Sequence, residues 1–140
     1  MIREEGCVFC EIADKKKPAD IVFEDDKVLA ILSNAPTSKG QIVILCKEHY
    51  VNLFDMPLDL AQHMLAVIKK IAPGVVKAMG TDSYILGMNN GPATRNHVDH
   101  AHMHIVPRHM DDDLPKWPDG KYAEGESELI KEKIIKSLNS

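Results

Sequence analysis

Three histidines, His100, His102 and His104, occupy alternate positions in the stretch HVDHAHMHIVPRH, with Ala101 and Met103 between them. Residues two apart on a β-strand lie on one face, at a spacing of roughly 6.5 to 7 Å. A strand at this point would therefore align the three imidazoles and turn the apolar residues to the core. Three adjacent imidazoles carry ring nitrogens that need partners, so ordinary packing explains the pattern poorly.

Three interpretations of this pattern compete. The strand could have a half-exposed polar face that happens to be histidine, or the three side chains could bind one metal ion. In the third interpretation one histidine is a nucleophile or base and its neighbours orient it or contact the substrate. A neutral imidazole can attack phosphorus when its other nitrogen holds its proton on an acceptor. If the substrate is a phosphate ester, anhydride or phosphoramidate, this chemistry favours the third interpretation, with the middle residue, His102, as the nucleophile.

The N-terminal segment CVFC places Cys7 and Cys10 in a C-x-x-C pattern. Alone, this pattern indicates a redox pair, half of a metal site, or chance. The other half of a metal site would come from distant histidines, namely His49 or the triad. Cys46 lies in an apolar run and is predicted to be a core residue.

Apolar periodicity predicts five strands, a long helix and a C-terminal helix. The predicted strands are 21–24, 28–32, 40–46, 83–88 and 101–106, and Pro107 is expected to end the last of them. The predicted helices are 58–79, which Pro73 and Gly74 should kink or interrupt, and 126–138. The fold class is therefore α+β: an antiparallel sheet of about five strands with one long helix and a C-terminal helix.

The composition limits the domain count and the partners. With 140 residues and 44% apolar residues, the chain is sized for one domain, 1–140, with a core at 7–108 and a tail at 109–140. The formal net charge is −4 and no basic stripe is present, so we expect no nucleic-acid partner. No run approaches the ~18 apolar residues of a membrane span, and the charged N-terminus does not resemble a signal peptide. We therefore expect no membrane association and a cytoplasmic location.

At this point the sequence resembles a known family. HAHMHIV fits the motif of the histidine triad (HIT) family without a mismatch, NNG begins eleven residues before the first triad histidine, and VPR follows the last. Upstream, CVFCEI, IVFEDDKVLAIL and GQIVILCKEH follow the order and spacing of its histidine triad nucleotide-binding branch. The resemblance covers residues 7–108.

The resemblance implies a HIT-like fold and a hydrolase acting at the α-phosphate of nucleoside phosphoramidates or dinucleoside polyphosphates, with a purine nucleotide as the small-molecule partner. In that family the middle histidine forms a covalent nucleotidyl adduct, which falls here on His102. The last histidine, His104, would contact the phosphate or the leaving group, and Asn89 would hold the phosphate. The resemblance also implies a homodimer formed through the long helix and the strand before the triad.

The zinc-containing members of the family use two cysteines, a histidine after the central strand and the first triad histidine. Carried onto this chain, the ligands are Cys7, Cys10, His49 and His100. Such a Cys2His2 set is closed and tetrahedral, so the zinc would be structural.

The expected nucleotide pocket departs from the family pattern. Ser33 stands where the family has an acidic ribose-binding residue, and the loop before the triad carries Arg95 in place of a glycine. An arginine there should change the local backbone geometry. These departures favour one alternative, a nucleotide-binding module with little or no turnover. A nucleotidyltransferase, in which a second substrate and not water takes the nucleotidyl group, is a further alternative. The residues expected to contact the substrate are Phe9, Ile12, Ile31, Ser33, Arg95, Asn96 and His97.

Overall fold

The computed structural model describes residues 1–95 and 98–140, so Asn96 and His97, two predicted substrate contacts, lie outside the described residues. Among these residues, a five-stranded antiparallel sheet and three helices form the fold. The sheet and two of the helices are as the sequence predicts, whereas the short helix at Val8–Ala13 was not predicted. The strands are β1 (Ile21–Glu24), β2 (Val28–Leu32), β3 (Ile42–Cys46), β4 (Ser83–Gly87) and β5 (His102–Arg108). The helices are α1 (Val8–Ala13), α2 (Leu58–Ala78) and α3 (Glu126–Leu138). The spatial order of the strands is β1-β2-β3-β5-β4.

Alternation along the central strands divides the core between the two faces of the sheet. On one face, Ile44 and Met103 pack with the buried face of α2, including Met64 and Ile68. On the other face, a second apolar cluster lies beneath α1; its buried members are Ile12, Leu29, Ile31, Val43 and Leu45. Because both faces of β2 and β3 are covered, these strands are nearly continuous apolar runs in the sequence.

The long helix α2 continues through Pro73, so of the two predicted outcomes, a kink or an interruption, the interruption does not occur. Proline removes one N–H from a helix, which deprives the carbonyl of Lys69, four residues earlier, of its bond. Both Lys69 and Pro73 are on the exposed face, where water can satisfy that carbonyl. The buried residues on either side, Ala72 and Val76, keep the helix packed on the sheet.

Strand β5 differs from its predicted bounds at both ends. It begins at His102, so His100 lies before the strand and not in line with the other two triad histidines. The strand also continues through Pro107 to Arg108. Among the described residues, β5 beyond Ile105 pairs only with β4, because β3 begins at Ile42 opposite Ile105. With one side of the strand unpaired there, a residue without an N–H is tolerated.

Residues 109–125 form no helix or strand and lead to α3. The start of this tail is fixed by Arg108, which pairs with Asp112 at 2.8 Å. Helix α3 has no buried residue. Among the described residues, no helix combines the length and the apolar character that a membrane span requires.

Asp25 organises the turn between β1 and β2. Its carboxylate accepts hydrogen bonds from the N–H groups of Lys27 and Val28, both at 2.8 Å, and lies 2.7 Å from Nε2 of His63 on α2. Burial opposes the charged form of Asp25, but these donors outweigh it and lower the pKa of the carboxyl. The turn is thereby tied to the helix.

We expect Asp25→Ala to lower the free energy of unfolding by about 1 to 2 kcal/mol at neutral pH, since charge-assisted hydrogen bonds are lost from a partly exposed site. Because the folded pKa lies below the unfolded one, this stabilisation is present above the unfolded pKa, about 4, and is lost as the pH falls through the folded pKa. Urea unfolding across this range measures it. The exposed neighbour substitution Asp26→Ala is the control, and an Asp25→Ala effect independent of pH would contradict the assignment.

Candidate functional site

Four side chains from separate segments converge beside the N-terminal end of β5. Cys7 and Cys10 lie at the start of α1, His49 follows β3, and His100 precedes β5; their ligand atoms all lie within 4.8 Å of one another. Nδ1 of His100 lies 3.3 Å from Sγ of Cys7, 3.5 Å from Sγ of Cys10 and 3.2 Å from Nδ1 of His49. Sγ of Cys10 lies 3.4 Å from Nδ1 of His49.

The hydrogen bonding of His100 fixes which of its nitrogens faces this cluster as a ligand. Its Nε2 lies 2.6 Å from the carbonyl oxygen of Cys46. A carbonyl oxygen only accepts, so Nε2 carries the proton and Nδ1 presents a lone pair to the cysteines. Burial lowers the pKa of His100 to about 4, which keeps the ring neutral as a metal ligand must be.

Four of the six distances between these ligand atoms fit a tetrahedral metal ion, and the other two are no longer than 4.8 Å. With Zn–N bonds of about 2.05 Å and Zn–S bonds of about 2.3 Å, tetrahedral geometry separates two nitrogens by about 3.3 Å and a nitrogen from a sulfur by about 3.5 Å. The corresponding distances here are 3.2 Å for His49 and His100 and 3.3 to 3.5 Å for the sulfur–nitrogen pairs. The predicted ligand set is therefore assembled as a possible metal site.

The N-terminal segment is held in place by contacts that support this cluster. The N–H of His49 donates to the carbonyl of Ile2 at 3.0 Å, and the guanidinium of Arg3 donates to the carbonyl of Lys47. The N–H of Glu4 also reaches Sγ of Cys10 at 3.5 Å. These contacts bring the cysteines to the segment that follows β3.

His102, the first residue of β5, is oriented by His100, which also belongs to the metal cluster. Its Nδ1 lies 2.6 Å from the carbonyl oxygen of His100. By the same reasoning, Nδ1 carries a proton, so the lone pair of the ring in its neutral form is on Nε2. Phe9 packs edge-on against the ring, with centroids 5.0 Å apart. Nε2 of His102 is thus arranged as a nucleophile or base.

His104 lies on the same face of β5 as His102, with ring centroids 4.9 Å apart and planes at 85°. Its Nδ1 lies 3.1 Å from Nε2 of Gln41, the residue before β3. Burial, and to a lesser extent the neighbouring His102, lowers the pKa of His104 to about 4. The ring is therefore neutral near pH 7.

Both rings open into a cavity of about 1280 Å³. Most of the predicted catalytic and substrate-contacting residues line it: Phe9, Ile12, Ile31, Ser33, Asn89, Arg95, His102 and His104. The four predicted metal ligands form the neighbouring cluster instead. The structure thus brings the two predicted groups together as adjacent sites.

The two departures from the family pattern both lie at the cavity. Ser33 is held by a backbone bond from its N–H to the carbonyl of Gln41 at 2.9 Å, and its hydroxyl accepts from the N–H of Ala35 at 3.3 Å. Arg95 has φ of 60°, in the left-handed region that favours glycine. Arg95 therefore has a backbone conformation that glycine adopts more easily than arginine, and the expected change in local geometry stays a prediction.

Sequence reasoning missed Gln41 and the contribution of the tail to the cavity. Pro115, Lys116 and Trp117 line it beside Arg108 at the end of β5. Nothing in the composition of the tail indicates this position, because it depends on how Arg108 and Asp112 direct the chain. Gln41 did offer a signal, since a lone amide beside a buried apolar run needs polar partners.

Comparisons with known proteins agree with this geometry. A family model described as the HIT domain matches residues 14–111. The adenosine 5′-monophosphoramidase hnt1 of Schizosaccharomyces pombe is 35% identical over 103 residues, which is 74% of this chain and 74% of that protein.

Two solved structures show the same fold. One is SMU.412c from Streptococcus mutans, with a TM-score of 0.88, 31% identity, and coverage of 97% of this chain and 87% of that one. The other is a zinc-bound histidine triad family protein from Mycobacterium smegmatis, with a TM-score of 0.75, 30% identity, and coverage of 96% and 98%. The chain belongs to the histidine triad (HIT) family.

Proposed function

We propose that this protein is a nucleotide hydrolase that cleaves at the α-phosphate of nucleoside phosphoramidates or dinucleoside polyphosphates through a covalent adduct on His102. The observation that carries the proposal is the bond between Nδ1 of His102 and the carbonyl of His100, which directs the lone pair of a neutral imidazole from Nε2. The relative named as an adenosine 5′-monophosphoramidase supports this substrate class.

In the proposed first step, Nε2 of His102 attacks the α-phosphorus and forms a P–N bond. The P–N or P–O bond to the leaving group breaks, and the leaving group departs with the bonding electron pair and takes up a proton from solvent. In the second step water attacks the same phosphorus and gives up a proton to solvent, the bond to His102 breaks, and a nucleoside monophosphate is released. The carbonyl of His100 holds the Nδ1 proton throughout and stabilises the positive charge that develops on the ring.

The apolar lining at one end of the cavity favours binding of the nucleobase there. Phe9, Ile12 and Ile31 provide an apolar surface on the α1 side of the two rings. Asn89 and Arg95 also line the cavity. We propose that they contact the phosphate, to which Arg95 would add charge-assisted hydrogen bonds. Ser33 offers one hydroxyl to the ribose in place of a carboxylate, so we expect weaker ribose contacts than in the family pattern.

We propose that the metal cluster holds zinc in a structural role. Two thiolates and two neutral imidazoles form a set that zinc favours, and four protein ligands leave no open position for substrate. The zinc-bound relative from Mycobacterium smegmatis supports this identity. Bound there, the ion would neutralise the thiolates and fix His100, and the chemistry would be left to the histidines of β5.

We also propose a homodimer that includes the edge strand β4. Tyr84, Ile85 and Leu86 are 42%, 39% and 41% exposed, an unusual apolar content for an edge strand that lacks a second neighbour among the described residues. A second copy would cover these side chains.

The edge-strand proposal is tested by sedimentation velocity. The wild-type chain is expected to sediment as a dimer at micromolar concentration, and Leu86→Lys is expected to shift it to a monomer, because a charge would be buried in the interface. Val22→Lys places the same charge on β1, the opposite edge of the sheet, and is the matched control. A monomeric wild type, or dissociation by the control alone, would contradict the proposal.

The hydrolase proposal is tested by incubating the protein with an adenosine phosphoramidate and with diadenosine polyphosphates, and following release of adenosine monophosphate. Turnover of either substrate by the wild-type chain is the expected result. Tight binding of adenosine monophosphate without turnover would instead identify a nucleotide-binding module, and Ser33 and Arg95 are the features that favour it. Neither binding nor turnover would contradict both.

A further inference from the structure

Gln41 is a buried amide that bridges the backbone to the ring of His104. Only 7% of the residue is exposed. Its Oε1 lies 2.7 Å from the N–H of Thr37, and its Nε2 lies 3.1 Å from Nδ1 of His104. It precedes β3 and lies on the same face of the sheet as Val43, which pairs with His104. Its side chain therefore reaches the cavity from beneath the ring.

The direction of these two hydrogen bonds follows from the backbone. The N–H of Thr37 can only donate, so the atom of Gln41 that faces it must be the carbonyl oxygen. The amide group then faces His104, and an amide NH2 can only donate. Nδ1 of His104 is therefore the acceptor.

A ring that accepts at Nδ1 carries its proton on Nε2. An imidazolium would turn a second N–H against the amide NH2 of Gln41, so this contact also opposes protonation of the ring. Burial acts in the same direction, because it lowers the pKa of His104. His104 is thus a neutral ring whose N–H is Nε2–H.

We propose that Gln41 is a positioning residue that holds His104 as its neutral Nε2–H tautomer, so that this N–H donates a hydrogen bond to the phosphoryl group or to the atom that leaves it. The tautomer assignment stands on the contacts alone, whereas the role of the N–H rests on the proposed function.

Two neighbouring imidazoles would then have opposite tautomers, each set by a different partner. The carbonyl of His100 places the proton of His102 on Nδ1, and the amide of Gln41 places that of His104 on Nε2. The ring of His102 would then direct a lone pair into the cavity, and the ring of His104 would direct an N–H donor into it. An attacking atom and a donor for the developing negative charge are the pair that transfer at phosphorus requires.

The tautomer is tested directly by long-range ¹H–¹⁵N correlation spectra of the wild-type protein near pH 7, with the His104 signals identified by their loss in His104→Ala. We expect Nε2 to show the shift of a protonated nitrogen and Nδ1 that of an unprotonated one. A proton on Nδ1 in the wild type would overturn the proposal whether or not the protein turns over any substrate.

Gln41→Glu reverses the contact, since a carboxylate only accepts, and it is expected to move a proton onto Nδ1 of His104. Gln62→Glu makes the same change on the exposed face of α2 and is expected to leave the His104 signals unchanged. Unchanged signals in Gln41→Glu would overturn the assignment.

The kinetic role is tested with Gln41→Met, which removes the donor without adding a charge. We expect kcat to fall about tenfold with KM nearly unchanged, because the N–H that stabilises the transition state is no longer fixed. Gln62→Met is the matched control. Wild-type kcat in Gln41→Met would overturn the positioning role, and a wild type that has the expected tautomer but no turnover would contradict the proposed function alone.

Discussion

His102→Ala is expected to lower kcat for a nucleoside phosphoramidate by about 10³-fold or more, equivalent to about 4 kcal/mol of transition-state stabilisation. The substitution removes the atom proposed to form the P–N bond, so no other group on this face can replace it in the same mechanism. His104 is close, but its Nδ1 faces Gln41 and its Nε2 carries the proton in the proposed tautomer. The effect is measured as the rate at which adenosine monophosphate is released, in a stopped or continuous assay.

Two controls separate loss of the nucleophile from loss of the fold. His102→Ala is expected to bind adenosine monophosphate within several-fold of the wild type by calorimetry, because the apolar lining contributed by Phe9 and Ile31 remains. His63→Ala removes a histidine of α2, across the sheet from the cavity, and should keep wild-type kcat. Turnover that survives His102→Ala would exclude the covalent mechanism.

The adduct itself provides a second measurement. Rapid quenching of the wild type in alkaline denaturant, followed by intact mass, is expected to show a species heavier by one nucleotidyl group, because a phosphoramidate of imidazole is labile in acid but survives base. The same species should be absent from His102→Ala. An adduct of the same mass in His102→Ala would contradict the assignment of His102 as the nucleophile.

Much of the fold could be predicted because the sequence pattern and the tertiary environment agree. The run from Ile42 to Cys46 is apolar on both faces and is indeed covered on both by helices. The predicted bounds failed where the environment decides. Pro107 lies within β5 because only one neighbouring strand remains at that point, and Pro73 lies within α2 because its lost hydrogen bond faces water.

The site was predictable to the extent that its residues have distinctive types. Cysteines and alternating histidines are candidate ligands and nucleophiles by their chemistry, the family resemblance assigned a role to each, and the cluster and the cavity contain them. The hydrogen bonds that set each ring were not predictable, because Gln41 and the carbonyls of Cys46 and His100 act through position and not through a motif. The position of His100 before β5 was not predictable for the same reason, because it depends on where the residue lies in the fold and not on a motif.

Removal of the metal is expected to destabilise the fold and to impair His102. A metal ion whose free concentration is about 1,000 times its dissociation constant stabilises the folded state by about 4 kcal/mol. For a chain of this size, that corresponds to a Tm lower by about 10 to 15 °C after exposure to a strong chelator. Without the ion, two buried sulfurs and two imidazole nitrogens converge with no common partner. Burial raises the pKa of Cys7, so the thiolate form that would bind the ion is disfavoured in its absence. Because the carbonyl of His100 holds His102, kcat should fall as well.

The matched pair for this test is Cys10→Ala and Cys46→Ala. Both thiols are buried, but Cys46 lies outside the cluster, where burial raises its pKa to about 12 and its Sγ–H donates to the carbonyl of Glu48 at 3.1 Å. We expect elemental analysis to find about one zinc per chain in the wild type and in Cys46→Ala, and a large loss in Cys10→Ala. Cys46→Ala should lower Tm yet retain the chelator-dependent drop, whereas Cys10→Ala should no longer respond to chelator. A wild type purified without chelator that contains no zinc, or whose Tm ignores chelator, would exclude the structural metal and leave the orientation of His102 to the backbone alone.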